Sequence, residues 1–263
     1  MKKRILAALL ILCIILSFMA CKKKDSTDEM TPEQKAMEEK QAYANLPDQL
    51  ECTMLISKYG EVKIELYKDV APQAVLNFIY LANSGFYDGL IFHKVDKGVL
   101  VQTGKYETGH IKREPVFEYG IKGEFTSNGY NNPITFQEGT IGMMRSFNGD
   151  NAANSASTEF FITIDRETAL NFDGEYTAFG RVVEGMDIIK KINKVKTTGT
   201  TPNKDISIVQ LYVTIPEECK GKLALPEFLG KDGKVIENAE ELIEKAKKEK
   251  AESNKTESEK SGN

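Results

Sequence analysis

The sequence predicts a mainly β fold: about eight strands in a barrel that closes on itself, with two separate α-helices. Three observations carry this expectation. Between about residues 50 and 215, short segments with apolar alternation recur, Gly-rich turns separate them, and only two stretches have helical periodicity. A sheet built from many short strands removes its exposed edges by closing.

The strands follow from their patterning. Val62, Ile64 and Leu66 alternate with Glu61, Lys63 and Glu65, which gives one apolar face, and Met54 and Ile56 repeat the pattern before a turn at Lys58-Tyr59-Gly60. Asp69-Val70-Ala71-Pro72 opens a helix that carries Val75, Phe78, Ile79 and Ala82 inward, and Gly85 ends it. Further strands are expected over 91–95, 99–103, 140–144, 159–164, 176–182 and 206–215, with a second helix over 186–192. There is no internal repeat.

The ends of the chain have a different composition. Met1-Lys2-Lys3-Arg4 is basic, and the run from Ile5 to Ala20 is almost wholly apolar, with Cys21 and then Lys22-Lys23-Lys24-Asp25-Ser26 after it. This is the pattern of a secretion signal. Residues 1–20 read as a bacterial lipoprotein signal, with lipid on the Cys21 thiol. An uncleaved anchor is the alternative, and both place the rest of the chain outside the cytoplasm on a bacterial membrane. Residues 21–47 read as a polar tether, in which Thr31-Pro32-Glu33-Gln34 has the form of a helix start. Residues 218–263 read as a charged tail, partly helical over 238–251 and disordered at its end, and more a solvated extension than a partner-binding one.

Composition excludes some functions. The 263 residues carry a formal net charge of −4, which gives no reason to expect nucleic acid as a partner. Of four cysteines, Cys13 lies in the signal and Cys21 carries the expected lipid; Cys52 and Cys219 flank the domain and are candidates for a disulfide in an exported protein. His93 and His110 have no neighbours at metal-ligand spacing, so no metal is expected. The Asn148-Gly149-Asp150-Asn151 stretch reads as a turn-rich loop rather than a calcium site.

The ordered motifs Ala71-Pro72, Asn77-Phe78, Phe86-Tyr87-Asp88-Gly89, Phe92-His93, Gly139-Thr140-Ile141-Gly142-Met143, Phe160-Phe161-Ile162, Asp173-Gly174, Phe179-Gly180 and Glu184-Gly185-Met186 resemble those of the cyclophilins, the peptidyl-prolyl cis-trans isomerases. The resemblance covers residues 48–217. It implies a closed eight-stranded antiparallel β-barrel capped by two α-helices, a groove for peptides on its outer face, proline-containing polypeptides as clients, a monomer and no cofactor. It places Val99, Leu100, Phe161 and Phe172 in the proline pocket, Gln102 as the amide that bonds client backbone, and Met144, Arg145 and Ser146 along the residue before proline. Tyr176 stands where many members carry His or Tyr. Asn171 stands where cyclosporin-sensitive members carry Trp, which implies poor cyclosporin binding.

Besides Asn171, two positions depart from the family. Lys94 stands at its catalytic Arg, and Glu159 at a Gln of the substrate groove, so a Lys94–Glu159 ion pair is expected. Lysine keeps the charge without the rigid planar fork of arginine. The resemblance therefore implies an isomerase of reduced activity that assists the folding of exported proteins. The alternative is a tethered module that binds proline segments without catalysis.

Overall fold

The structure, a computed structural model, describes residues 30–248. Residues 1–20, Cys21, the start of the tether and the end of the tail lie outside the described residues. The chain divides into two units, Met1–Met37 and Glu38–Asn263. In the first, Thr31 and Gln34 form a reciprocal cap: the Thr31 N–H donates to Gln34 Oε1 at 2.8 Å and the Gln34 N–H to Thr31 Oγ1 at 3.3 Å. This cap starts helix α1, Pro32–Asn45. In the second unit, Ala42 and Leu46 are buried and the Tyr43 hydroxyl donates to the Lys68 carbonyl at 2.7 Å, so the last part of the expected tether is packed against the domain.

The domain is an eight-stranded antiparallel sheet. Its strands are β1 (Gln49–Ile56), β2 (Gly60–Tyr67), β3 (Lys94–Asp96), β4 (Leu100–Thr103), β5 (Thr140–Met143), β6 (Phe160–Thr163), β7 (Ala178–Glu184) and β8 (Ile208–Val213). The spatial order is β8-β1-β2-β7-β5-β6-β4-β3. Helix α2 (Pro72–Asn83) and helix α3 (Met186–Asn193) pack on it where the apolar spacing predicts them. Val62, Ile64 and Leu66 are fully buried with Val75 and Phe78 of α2 in the main core.

The expected closure of the barrel does not occur: the sheet is an open half-barrel, because its end strands β3 and β8 do not pair. β3 begins only at Lys94 and is three residues long. The chain before it meets β8 through one isolated bridge, Ile91 to Ser207, and through backbone bonds from Gly89 to Ile208 and from Phe92 to Ile206 at 2.8 and 3.0 Å.

The N-terminus of α2 is capped from a distance. Ala71 offers no side-chain cap, and Glu124 supplies both acceptors, for the Gln73 and Ala74 N–H groups at 2.9 and 3.0 Å. Within the same helix, Asn77 Nδ2 donates to the Ser157 carbonyl at 2.6 Å, while Tyr87 just beyond it bonds the Thr158 carbonyl at 3.1 Å. Helix α2 thereby pins the backbone that leads into β6.

The candidate disulfide does not form. Cys52 and Cys219 are separate, buried thiols. Both belong to the main core, Cys52 from β1, while the Cys219 thiol donates to the Ala42 carbonyl at 3.4 Å.

The charged tail is partly helical as expected, but it packs back on the domain instead of extending into solvent. Phe228–Leu229 pairs with Gly120–Ile121, and residues 239–248 are helical. Phe228, Ala239 and Ile243 are buried in the main core, and the Phe228 ring lies 4.6 Å from Tyr119, 5.2 Å from Phe117 and 6.0 Å from Tyr80 between centroids. Apolar residues spaced thinly among charges give no clear periodicity, yet each finds a place on this face.

Candidate active site

Strand alternation divides the sheet into two chemistries. Val95, Val101, Ile162 and Ile141, paired across β3, β4, β6 and β5, face the main core. Their neighbours Lys94, Gln102, Phe161 and Gly142 form the next cross-strand row, on the opposite face. There a second apolar cluster sits apart from the core: Leu100, Phe136, Phe161, Ala169, Tyr176 and Ala178, with Val99, Ile134, Met144 and Phe172 half-buried around it.

The cluster is built from rings. Phe161 stacks on Phe136 at 5.5 Å and 18°, and Phe172 and Tyr176 stand on Phe161 at 5.3 and 5.4 Å. Gly142 makes the stack possible, because a Cβ there would lie 2.5 Å from Phe161 Cζ and 2.7 Å from Phe136 Cε1. Asp173 and Arg166 hold Phe136 by its backbone: Asp173 accepts from its N–H at 2.6 Å and Arg166 donates to its carbonyl at 2.7 Å. On the other side, Asn193 at the end of α3 accepts from the Gly98 N–H at 2.7 Å and donates to the Asp96 and Leu100 carbonyls at 2.8 and 3.0 Å. That clamp sets the β3–β4 turn and with it Val99 and Leu100. Burial pushes the Tyr176 phenol up, so it stays protonated at neutral pH.

Polar groups border the cluster. Lys94 is half-buried beside Gln102, and among the described residues its amine has no hydrogen bond or ion pair. The expected Lys94–Glu159 pair does not form. Glu159 is taken instead by Gln102, whose Nε2 donates to Oε2 at 2.7 Å, by His93 at 3.3 Å and by Lys105, whose amine is 3.0 Å from Oε1. Lys105 lies beyond the Gly104 turn, and this local reach brings it to Glu159 while Lys94 stays on the strand. Burial pushes the Glu159 carboxyl up, but the bonds from His93 and Lys105 outweigh it and hold the group at about 2. His93 is thus a structural hydrogen-bonding residue.

Arg145 and Ser146 follow β5 at the rim. The Arg145 guanidinium lies 5.1 Å over both the Phe125 and Tyr176 rings and 5.7 Å over Phe147, with Nε donating to the Glu175 carbonyl at 2.8 Å. The Ser146 N–H is fixed by Ser155 Oγ at 2.8 Å. A cleft of about 520 Å³ adjoins Ser146 and is lined also by Asn148, Asn154 and, from the C-terminal segment, Lys231. The sequence readings missed Phe136, Phe147, Ile134 and Lys105. Phe136 lies in an irregular segment with no periodicity, and Phe147 immediately precedes the stretch read as turn formers; the one signal for Phe147 was an aromatic two residues after Arg145.

A family model described as cyclophilin type peptidyl-prolyl cis-trans isomerase matches residues 52–213. The chain belongs to the cyclophilin family. Among relatives, peptidyl-prolyl cis-trans isomerase B of Escherichia coli (strain K12) is 34% identical over 173 residues, covering 61% of this chain and 97% of the relative. A probable peptidyl-prolyl cis-trans isomerase of Brucella suis biovar 1 (strain 1330) is 37% identical over 156 residues, covering 57% and 76%. The fold is similar to a crystal structure of a Cryptosporidium parvum cyclophilin, with a TM-score of 0.54 at 24% identity, covering 64% of this chain and 99% of that one. The same parasite protein has been crystallised in the presence of the dipeptide Ala-Pro, and that structure matches with a TM-score of 0.53. The open half-barrel is thus the cyclophilin fold, and isomerase activity is the function that this family membership supports.

Proposed function

We propose that this cyclophilin accelerates rotation about Xaa-Pro bonds in exported polypeptides, from a lipid anchor on Cys21 at a bacterial membrane. The anchor and the destination rest on the basic start, the apolar run and the Cys that follows it. The reaction rests on the site. An Xaa-Pro bond must cross a barrier of about 18–20 kcal/mol because rotation breaks amide resonance, and uncatalysed exchange takes tens to hundreds of seconds. No proton transfer or cofactor is required. The apolar cluster takes the pyrrolidine ring, while groups at the rim hold the backbone around it. As the bond twists, the prolyl nitrogen becomes pyramidal and gains a lone pair. A cation beside it binds that state better than either planar isomer, which is the condition for catalysis.

The observation that carries the proposal is the Lys94 amine, unpaired among the described residues and one strand away from Gln102 at the edge of the aromatic cluster. One preorganised donor supplies about 3–4 kcal/mol of transition-state stabilisation, and a flexible ammonium supplies less than a guanidinium fork. The reading is therefore a slow isomerase. Exchange NMR on an Ala-Pro peptide with the wild-type protein tests it. Cross-peaks between cis and trans signals that grow with protein concentration are expected. Binding shifts without exchange would favour the second reading, a proline-binding module, for which the capture of the Gln102 amide by Glu159 speaks.

A further inference from the structure

Glu159 stands at the centre of a built network rather than at the surface of the groove. Its side chain is 21% exposed, and its two oxygens are shared among Gln102, His93 and Lys105. The backbone that leads into it is fixed at two consecutive carbonyls. Helix α2 bonds the Ser157 carbonyl through Asn77, and Tyr87 bonds that of Thr158. Gly104 packs so closely on Thr158 and Glu159 that a Cβ there would overlap their backbone.

An ionised carboxylate only accepts hydrogen bonds. The Gln102 atom 2.7 Å from Oε2 is therefore the NH2 group, and turning the amide over would set its carbonyl oxygen against the carboxylate. Gln102 is 5% exposed, so no water competes freely for the bond. An amide whose N–H donates to an anion becomes a stronger acceptor at oxygen and a weaker donor through its remaining N–H.

We propose that Glu159 is a positioning residue that fixes the Gln102 amide and makes it an acceptor for a backbone N–H of the client beside the proline. This rests on the groove being the Xaa-Pro site. Proline has no N–H, so the donor belongs to a residue flanking it. Lys105 and His93 hold the carboxylate, and their distances of 3.0 and 3.3 Å set how firmly the amide is locked. The groove would then select clients by an available N–H next to proline, independently of the ring that fills the apolar cluster.

The test uses the full chain as wild type, Glu159→Ala and Glu159→Gln. The side-chain NH2 signals of Gln102 are identified by their loss in Gln102→Ala. In the wild type, one of the two protons is expected well downfield and slow to exchange with water. Glu159→Ala should return it to the ordinary amide range, and Glu159→Gln, which keeps an acceptor oxygen, should retain part of the downfield displacement. The second arm titrates proline peptides N-methylated at the residue before or after proline. One methylation is expected to weaken wild-type binding about tenfold and Glu159→Ala binding less than about threefold. Unchanged Gln102 signals in Glu159→Ala, or an equal methylation penalty in all three proteins, would overturn the proposal. A protein that shows the amide signature and the penalty but no exchange would refute the isomerase reading while leaving this one standing.

Discussion

The Glu159 carboxylate accepts from the Gln102 amide at 2.7 Å and leaves Lys94 without a counter-ion among the described residues. Two residues on one strand pair thus have opposite fates. Gln102 is locked by an anion, whereas Lys94, its partner across β3 and β4, makes no ion pair among the described residues. The cation proposed to act at the twisting prolyl nitrogen is not paired with Glu159, so the shape of the lysine side chain and the groove itself are the two separable sources of low activity.

That separates two causes of low activity. Lys94→Arg restores a planar, preorganised donor at an already uncompensated position, and turnover is expected to rise about tenfold. Lys94→Ala removes the cation proposed to act in the transition state, and the rate should fall about a hundredfold or to the uncatalysed level, with peptide affinity changed less than about threefold. Exchange NMR for rate and titration for affinity measure both. An Arg variant no faster than wild type would point to the groove rather than to the donor.

Gly142 tests the apolar half of the site. A methyl group at this position meets Phe161 and Phe136 at 2.5 and 2.7 Å, so Gly142→Ala forces the stacked rings apart. Overpacking of this kind costs about 1–3 kcal/mol, and the distorted pocket should bind proline peptides about tenfold more weakly. Urea denaturation and peptide titration report the two effects. A change in stability with no change in affinity would show that the rings line the core and not the pocket.

The C-terminal segment gives a different expectation from the one that its composition suggests. Phe228 is 2% exposed against Tyr119, Phe117 and Tyr80, so Phe228→Ala removes a core ring and should cost about 3–5 kcal/mol in urea denaturation. A solvated tail would show no measurable change.

Local patterning made the framework legible. The alternation of Val62, Ile64 and Leu66 and the spacing of Val75, Phe78 and Ile79 mark faces that the structure buries. Family likeness brought Leu100, Phe161, Phe172 and Tyr176 to one place, as the structure does. What was not legible depends on contacts between distant residues. Glu124 caps α2 from fifty positions away, and Phe136 enters the pocket from an irregular segment held by Asp173. The ion pair expected for Glu159 went to Lys105 because a tight turn at Gly104 decides reach, and the sequence shows no distance across a turn. Closure failed for a similar reason: β3 is too short to form a ladder with β8, and no residue pattern measures that gap.

One buried and one half-buried carboxylate give stability an opposed dependence on pH. Burial pushes Glu124 up to about 7 despite the Gln73 and Ala74 N–H groups that lower it, whereas Glu159 is held at about 2. The unfolded reference for both is 4.5. Folded Glu124 binds its proton more tightly than the unfolded chain does, so its contribution is greatest below 4.5 and is lost as pH rises through 7. Glu159 has the reverse sign: its contribution is present above 4.5 and is lost as pH falls towards 2. Each carries at most about 3 kcal/mol, because a tenfold difference in proton affinity between folded and unfolded chain corresponds to about 1.36 kcal/mol. Urea midpoints across this range should therefore fall with rising pH between 4.5 and 7 in the wild type and flatten there in Glu124→Gln, which keeps one acceptor for the helix. Glu159→Gln should leave that slope intact and remove part of the loss below 4.5. If Glu124→Gln keeps the wild-type slope, the α2 N-terminus holds its carboxylate ionised throughout, and the cap is a charged one.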